Sequence, residues 1–382
     1  MGTGDYNGAD TDRIVISVDA MGGDAGPAAV VSGIAQSAAK NPDLAFLLHG
    51  PIEQLKQLVE RRRALTGRVE FCDAQEVVSM QDKPAQILRR GKHTSMWSTI
   101  EAVRDGKATV AVSCGNTGAL MALSMIRLNR LEGVSRPALA ILWPSRNPHG
   151  FNVMLDAGAD IRADSRDLLQ FAMMGASYAR NGLGLAHPRV GLLNVGTEQH
   201  KGNAELKAAY ALIDSFSSKV NFDFVGFVEG GDIPGDKCDV IVTDGFTGNV
   251  AIKTGEGTAQ LIGDLLREAF RFTPLSRLAS LLSLTSFRRL QKRIDPRRVN
   301  GGVFLGLTGT VVKSHGSADA TGVSAAVKLA FQLSKSGFSE KLAARVSTVA
   351  ALAQDSSAFP LHQNLPNGER GADIPKAQGV QS

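Results

Sequence analysis

The chain has 382 residues, 43% of them hydrophobic and 21% charged, and it contains no apolar run of the roughly 18 residues that a membrane-spanning helix needs. This composition predicts a globular protein with a sizeable core and excludes a transmembrane helix. The net charge of +5 equals that of residues 288–298 alone, so the positive charge is a local patch. Because only 5% of residues are aromatic, few rings are present to stack on bases, and a nucleic-acid partner is not expected.

The N-terminal segment and the cysteines bear on location and cofactors. Residues 1–12 are rich in Gly and Asp and lack the layout of a secretion signal, so we predict a flexible tail on a cytoplasmic protein. Cys72, Cys114 and Cys238 are scattered and form neither a disulfide framework nor a CxxC zinc pair. We therefore expect no metal and no cofactor.

Strands and helices alternate in the first part of the chain, which predicts a parallel sheet. The predicted strands cover residues 13–18, 45–48, 69–72 and 109–113. The turn DAMGGD (19–24) follows the first strand, and CGNTGA (114–119) follows the fourth. Both turns place glycines and polar side chains between a strand and a helix.

The second part of the chain continues this alternation and completes one domain, residues 13–352. The predicted strands cover residues 138–142, 153–155, 190–193, 223–228 and 240–242. The turn NVGTEQHKGN (194–203) precedes a helix, and DGFTGN (244–249) opens a long one. Residues 301–319 add a strand and another polar turn, and helices at 320–335 and 342–352 follow. Residues 353–382 are polar and are predicted to be disordered.

The polar turns predict an anion-binding site. In an open parallel sheet, free N–H groups and helix dipoles converge at the carboxyl ends of the strands. At least four predicted strand ends carry Gly with Asn, Asp, Thr or Lys, although any single turn could be an ordinary capped connector. The sequence lacks GxGxxG, GxxxxGK[ST], HExxH and GxSxG, which counts against the common dinucleotide, P-loop, zinc-protease and hydrolase sites.

Five segments in order resemble the PlsX family of phosphate acyltransferases. They are DAMGGD (19–24), GNTGA (115–119), NVGTEQHKG (194–202), TDGFTGN (243–249) and the 306–316 stretch that ends in KSHG. The resemblance implies a doubly wound, largely parallel α/β sheet with helices on both faces, like that of isopropylmalate dehydrogenase, in a cytoplasmic homodimer. The implied reaction moves a fatty acyl group from acyl carrier protein to inorganic phosphate, and the acyl phosphate serves phospholipid synthesis.

Such a transfer needs a bound phosphate, donors for an oxyanion and a proton for the departing thiolate. We expect Lys201 to hold phosphate and His315 to protonate the thiolate. Asn249 would orient phosphate or the acyl oxygen, and Asp244 would orient Lys201 or a hydroxyl group. Because phosphate is the nucleophile, no acyl-cysteine is required. The other candidate substrate-binding residues are Asp19, Gly22, Gly23, Asp24, Asn116, Thr117, Gly118, Asn194, Gly196, Glu198, Thr247 and Gly248.

Two other functions remain open on the sequence alone. A phosphotransacetylase-like enzyme would use a short-chain acyl-CoA with the same phosphate chemistry. A non-catalytic protein could instead dock acyl carrier protein at a membrane, although such a scaffold would not need polar turns at its strand ends.

Residues 273–298 are predicted to form a helical excursion with two short helices, because their leucines do not share one face of a single helix. We place the break at residues 284–286. The basic second half favours contact with an anionic membrane and with a membrane acyltransferase, and a dimer interface is the alternative. The candidate membrane-contact residues are Leu278, Leu281, Leu282, Arg288, Arg289, Lys292 and Arg293.

Overall fold

The computed structural model describes residues 13–82, 84–286 and 301–354, and it contains one sheet of eleven strands. The strands are β1 Ile14–Asp19, β2 Leu44–Gly50, β3 Val69–Asp73, β4 Val110–Ser113, β5 Ala138–Pro144, β6 Phe151–Leu155, β7 Arg189–Leu193, β8 Asp223–Val228, β9 Val240–Val242, β10 Gly302–Leu305 and β11 Thr310–Lys313. Their order across the sheet is β3-β2-β1-β4-β11-β10-β5-β6-β9-β7-β8.

Eleven α-helices lie within the described residues. They are α1 Gly26–Ala38, α2 Ile52–Glu60, α3 Pro84–Arg90, α4 Ser95–Arg104, α5 Thr117–Arg127, α6 Ser165–Leu183, α7 Ala204–Val220, α8 Gly245–Arg271, α9 Pro274–Leu282, α10 Ala320–Lys335 and α11 Phe338–Gln354. None of the described helices is both long and apolar enough to cross a membrane.

The strands change direction in the middle of the sheet. β3, β2, β1, β4 and β11 are parallel neighbours, and β6, β9, β7 and β8 form a second parallel set. Between the sets, β10 is antiparallel to both β11 and β5, and β5 is antiparallel to β6. The carboxyl ends of the two parallel sets therefore lie at opposite ends of the sheet.

Both faces of the first parallel set are covered, as the alternation of its side chains requires. Val110 and Val112 lie in the core beneath α1 and α10, whereas Ala111 belongs to the cluster beneath α4 and α5. α1 and α10 pack closely, because a Cβ on Gly33 would lie 2.5 Å from that of Val323. The prediction of a doubly wound, largely parallel α/β sheet is confirmed.

Three details of the predicted elements were wrong. Residues 301–319 contain two antiparallel strands, β10 and β11, where one was expected. The short helix α3 was not predicted at all. In the excursion, α9 ends at Leu282 and Ser283 forms the turn, so the break precedes the expected 284–286. The predictions for residues 1–12 and 287–298 lie outside the described residues, as do those for 355–382.

Candidate active site

Three loops meet at the carboxyl ends of β1, β4 and β11. We call this cluster the first strand-end site: residues 19–24, 113–118 and 313–316. The Asp24 amide donates to the carbonyl of Gly316 at 2.8 Å, which ties the first loop to the third. Gly23 has φ of +93°, and a Cβ there would lie 2.8 Å from both the Cys114 Cβ and the Gly316 oxygen. Only glycine fits this position.

Asp19 organises the first strand-end site from below. It is 1% exposed, and its carboxylate accepts from the amides of Met21 and Gly22 and from the hydroxyls of Ser95 and Ser113 at 2.6–3.2 Å. Four donors occupy the usual acceptor capacity of a carboxylate. In the structure Asp19 fixes the shape of the loop, and its predicted contact with substrate stays a prediction.

Asn116 is the N-cap of α5, and its side chain has two tasks. Its oxygen accepts from the Ala119 amide at 3.0 Å, and its Nδ2 donates to the carbonyls of Met80 and Asp82. In the structure both ends of the amide group thus hold neighbouring backbone, and its predicted contact with substrate stays a prediction. The N–H groups of Thr117 and Gly118, in the first turn of α5, have no partner inside the helix and carry the positive end of its dipole.

His315 lies at the mouth of the first strand-end site beside α8. Its Nδ1 is 2.8 Å from the Ser317 hydroxyl, and its Nε2 is 3.6 Å from a Glu256 oxygen. The other Glu256 oxygen accepts from Lys253 at 2.9 Å. Burial lowers the pKa of His315, and Glu256 acts in the opposite direction. The imidazole is therefore held in place by a hydroxyl and a carboxylate.

Cys114 lies behind this mouth. Its side chain is 4% exposed, and burial raises the pKa of its thiol. A thiol that is buried and protonated is a poor nucleophile. The position of Cys114 therefore argues against a role for its thiol as a nucleophile.

A second cluster lies at the carboxyl ends of β6, β7 and β9. We call it the second strand-end site: residues 156–160, 194–203 and 244–249. Asp156 is fully buried and accepts from four amides, those of Leu139, Gly158, Ala159 and Asp160, at 2.8–3.1 Å. Burial is the largest influence on its pKa, which is raised despite these bonds. Asp156 thus has the same structural position here as Asp19 has in the first site.

The first turn of α8 rests on the Asp156 loop. Asp244 is the N-cap, and it accepts from the Thr247 amide at 2.9 Å and from the Thr247 hydroxyl at 2.7 Å. Of the two expected partners of Asp244, the structure thus provides the hydroxyl and not Lys201. Asn249 is exposed in the second turn of α8, next to Gly158.

Lys201 ends the loop that follows β7. Its Nζ is 2.8 Å from the Glu198 carboxylate, and its side chain lies over Gly196, where a Cβ would be 2.3 Å from its Cδ. The Glu198 hydrogen bond raises the pKa of Lys201 and keeps it protonated. Buried Asn194 braces the loop through the Lys201 carbonyl at 3.3 Å.

A cavity of about 410 Å³ opens beside this second site. Asn203, Asp244, Phe246 and Thr247 line it, together with residues at the start of α6 and α7. The N-terminal ends of three helices therefore surround one opening, although the acidic N-caps Asp164 and Asp244 offset part of their positive dipoles.

The two strand-end sites are separated, which corrects the prediction that the polar turns form one anion-binding site; within one chain Asn116 and Thr117 do not face Thr247 and Asn249. α8 begins at the second site, and Glu256, eleven residues after Gly245, reaches His315 at the first. At 1.5 Å per residue this distance is about 16 Å along the helix. The error came from treating all strands as parallel.

Sequence reasoning also missed four residues that the structure places in these sites: Lys253, Glu256, Lys313 and Asp156. Lys253 and Glu256 could have been noticed as a pair at helical spacing after DGFTGN. Lys313 ends an apolar strand, which is an unusual place for a lysine.

Comparison with known proteins assigns this architecture to a family. A family model described as fatty acid synthesis protein matches residues 14–341. The phosphate acyltransferase of Ruegeria pomeroyi is 72% identical over 354 residues, covering 93% of this chain and 95% of the relative. The phosphate acyltransferase of Paracoccus denitrificans is 68% identical over 346 residues, covering 90% of this chain and 94% of the relative.

Among solved structures, a phosphotransacetylase from Streptococcus pyogenes superposes with a TM-score of 0.54 at 15% identity and covers 85% of this chain and 95% of its own. The EutD phosphotransacetylase from Staphylococcus aureus superposes with a TM-score of 0.52 at 13% identity, and the match covers 86% of this chain and 94% of that protein. These likenesses establish the α/β fold alone, whereas the close relatives establish the family. The chain belongs to the PlsX family of phosphate acyltransferases and is an acyltransferase.

Proposed function

We propose that this enzyme transfers a long-chain fatty acyl group from acyl carrier protein directly to inorganic phosphate, in the first strand-end site. The product would be an acyl phosphate for the synthesis of phosphatidic acid. The observation that carries the proposal is the position of His315 beside glycine turns and the N-terminus of α5, with the Cys114 thiol buried behind them.

In this site a phosphate oxygen would attack the thioester carbonyl carbon, and the new C–O bond would leave negative charge on the carbonyl oxygen. The N–H groups of Thr117 and Gly118, in the first turn of α5, would stabilise that oxyanion. Its collapse breaks the C–S bond, and the departing thiolate takes the proton of His315, which Glu256 holds in position. No covalent bond to the enzyme is needed.

A comparison of acyl donors tests this proposal. Purified enzyme is incubated with phosphate and either palmitoyl-acyl carrier protein or acetyl-CoA, and acyl phosphate is trapped with hydroxylamine. We expect a much higher kcat/KM for palmitoyl-acyl carrier protein. A preference for acetyl-CoA would contradict the proposal and support the phosphotransacetylase-like alternative, which so far rests on a shared fold.

The enzyme would work as a homodimer that joins the two strand-end sites. Within one chain Lys201 lies in the second strand-end site and His315 in the first, so Lys201 of a second copy would complete the first site. α8 offers a surface for that copy, because Leu261, Ile262 and Leu265 are 51–58% exposed on it. An exposed apolar face of this kind is typical of an interface.

Asn249 is proposed to face the same reacting groups from the second copy. Because Asp244 is the N-cap of α8, Asn249 is not a cap. We expect Asn249→Asp to lower turnover more than Asn249→Ala, since a carboxylate repels phosphate as well as losing the donor. Neither change should lower Tm, because Asn249 is exposed and is not the cap of α8, and a carboxylate near a helix N-terminus is favourable.

Steady-state rates and Tm for the two variants test this expectation, with Gln260→Glu as the control. That substitution makes the same change from amide to carboxylate at another exposed position of α8. Equal activities for Asn249→Asp and Asn249→Ala would rule out an anion beside Asn249.

We also propose a peripheral contact with anionic membranes through α9, from which the acyl phosphate would pass to a membrane acyltransferase. Leu275 and Leu282 of α9 are 76% and 80% exposed, while Arg288, Arg289, Lys292 and Arg293 lie outside the described residues. Replacing Leu275 and Leu282 by Glu should abolish sedimentation with anionic liposomes and leave turnover in solution unchanged.

Ile126→Glu is the control for this experiment, since Ile126 is 50% exposed on α5. If the α9 variant still sediments with liposomes, the membrane contact is refuted. If it becomes monomeric in sedimentation velocity experiments, α9 belongs to the dimer interface instead.

A further inference from the structure

Lys313 lies at the floor of the first strand-end site, at the end of β11. It is 7% exposed, and the register of the sheet pairs it with Ser113 of β4. Its Nζ donates to the carbonyl of Cys114 at 3.4 Å and to that of Ser314. The long side chain therefore brings a buried ammonium group to the loops that follow β4 and β11.

This ammonium lacks the partner that a buried cation normally has. An ammonium group has three N–H donors, and two of them go to neutral carbonyl oxygens. Among the described residues, no carboxylate oxygen lies within 4.0 Å of the Lys313 nitrogen. The Asp19 carboxylate, on the floor of the same site, already accepts hydrogen bonds from four other donors.

The charge and burial around Lys313 favour binding of an anion. Burial is the largest influence and lowers the pKa of Lys313 to about 8; Cys114 and Asp19 raise it, Lys253 on α8 lowers it further, and Asp24 raises it least. In the loop after β1, Gly22 packs directly against the loop after β4, since a Cβ there would lie 2.7 Å from the Gly115 amide. An anion held here would pair with a buried ammonium group that has no carboxylate within 4.0 Å among the described residues.

We propose that Lys313 is the cation that binds the phosphate substrate in the first strand-end site. This inference rests on the proposed acyl transfer and names the group that holds its nucleophile. The ammonium would neutralise part of the phosphate charge, so that the anion can leave water and lie against the thioester carbonyl. The same chemistry could instead bind the phosphodiester of the carrier's prosthetic group, which the experiment must separate.

Lys313→Gln tests the proposal, because glutamine keeps an N–H donor for the two carbonyls and removes the charge. We expect the KM for phosphate to rise at least tenfold while the KM for palmitoyl-acyl carrier protein stays unchanged. The thermal stabilisation that phosphate gives to the wild-type enzyme, a measure of binding that needs no turnover, should also disappear. Lys237→Gln is the control. Lys237 is also partly buried, but it lies outside the first strand-end site and donates to the Phe227 carbonyl and the Asp232 carboxylate.

An unchanged KM and thermal shift for phosphate would overturn the proposal. An increase confined to the KM for the carrier would assign Lys313 to the carrier's phosphodiester and would also contradict it. Failure of the proposed function looks different, because then even the wild-type enzyme would make no acyl phosphate. Lys313→Met serves if the glutamine variant does not fold.

A measurement on the wild-type enzyme covers the case in which neither variant folds. Because a bound anion raises the pKa of an ammonium group, phosphate binding near pH 8.5 should take up protons. Calorimetry in buffers of different ionisation enthalpy detects this uptake. The other titratable groups that face Lys313 are Cys114, Asp19, Asp24 and Lys253. Binding without proton uptake would contradict an ammonium whose pKa lies near 8.

Discussion

Replacing Lys201 by alanine is expected to lower turnover by about 10²- to 10³-fold, the usual cost of removing one charged contact to a transition state. The stability of the variant should hardly change, because the Lys201 side chain is 42% exposed and its ion pair with Glu198 is solvent-accessible. Steady-state kinetics at saturating phosphate, together with Tm, measure both effects. Lys207→Ala is the matched control, since Lys207 is an exposed lysine on the neighbouring helix α7.

Mixing variants tests whether Lys201 acts across a dimer. Lys201→Ala and His315→Ala are each expected to be inactive alone. After dissociation and random re-association, half of the dimers would combine the two chains and hold one intact site, so roughly a quarter of the wild-type activity should return. No recovery would contradict a shared site, and near-normal turnover of Lys201→Ala alone would remove Lys201 from the mechanism.

Gly248→Ala is expected to destabilise the protein by about 3 kcal/mol, the upper end of the usual cost of overpacking, and to abolish activity. A Cβ on Gly248 would lie 2.0 Å from the backbone oxygen of Asp156, and one on Gly245 would lie 1.9 Å from that of Asp160. Backbone on both sides cannot give way as a side chain can, so the first turn of α8 must move off the loop. That movement would displace Asp244, Thr247 and Asn249 together.

Gly257→Ala provides the control in the same helix. A Cβ on Gly257 meets nothing within 4 Å, so alanine should stabilise α8 by about 0.5–1 kcal/mol. Chemical denaturation of the two variants compares them directly. If Gly248→Ala were as stable as Gly257→Ala, the close contact between α8 and the Asp156 loop would be wrong.

The strands were predictable because apolar runs such as those of β8 and β9 are bounded by polar turns, and these two strands match their predicted bounds. Their directions were not predictable in the same way. A parallel sheet follows from β/α alternation, but the reversal depends on β5 and β6 being joined as an antiparallel pair. Nothing in the apolar pattern of residues 138–155 distinguishes that pairing from a parallel one.

The site was predictable as a set of residue types and not as a geometry. Glycine and polar residues at strand ends identified both Asp19 and Asp244, yet their roles as a loop anchor and an N-cap depend on donors that only the folded chain brings close. Asp156 was missed because its four amide donors come from its own loop and from Leu139. Lys313 was missed because a lysine is usually exposed, and burial is a property of the assembled sheet.

Direct acyl transfer to phosphate is the central claim, and a single-turnover experiment tests it. The enzyme is mixed with palmitoyl-acyl carrier protein without phosphate, the reaction is quenched, and the mass of the intact enzyme is measured by mass spectrometry. The experiment is then repeated with phosphate. We expect no acyl group on the enzyme in the first case and stoichiometric acyl phosphate in the second. An acylated enzyme that forms without phosphate, or carrier deacylation without acyl phosphate, would contradict the claim.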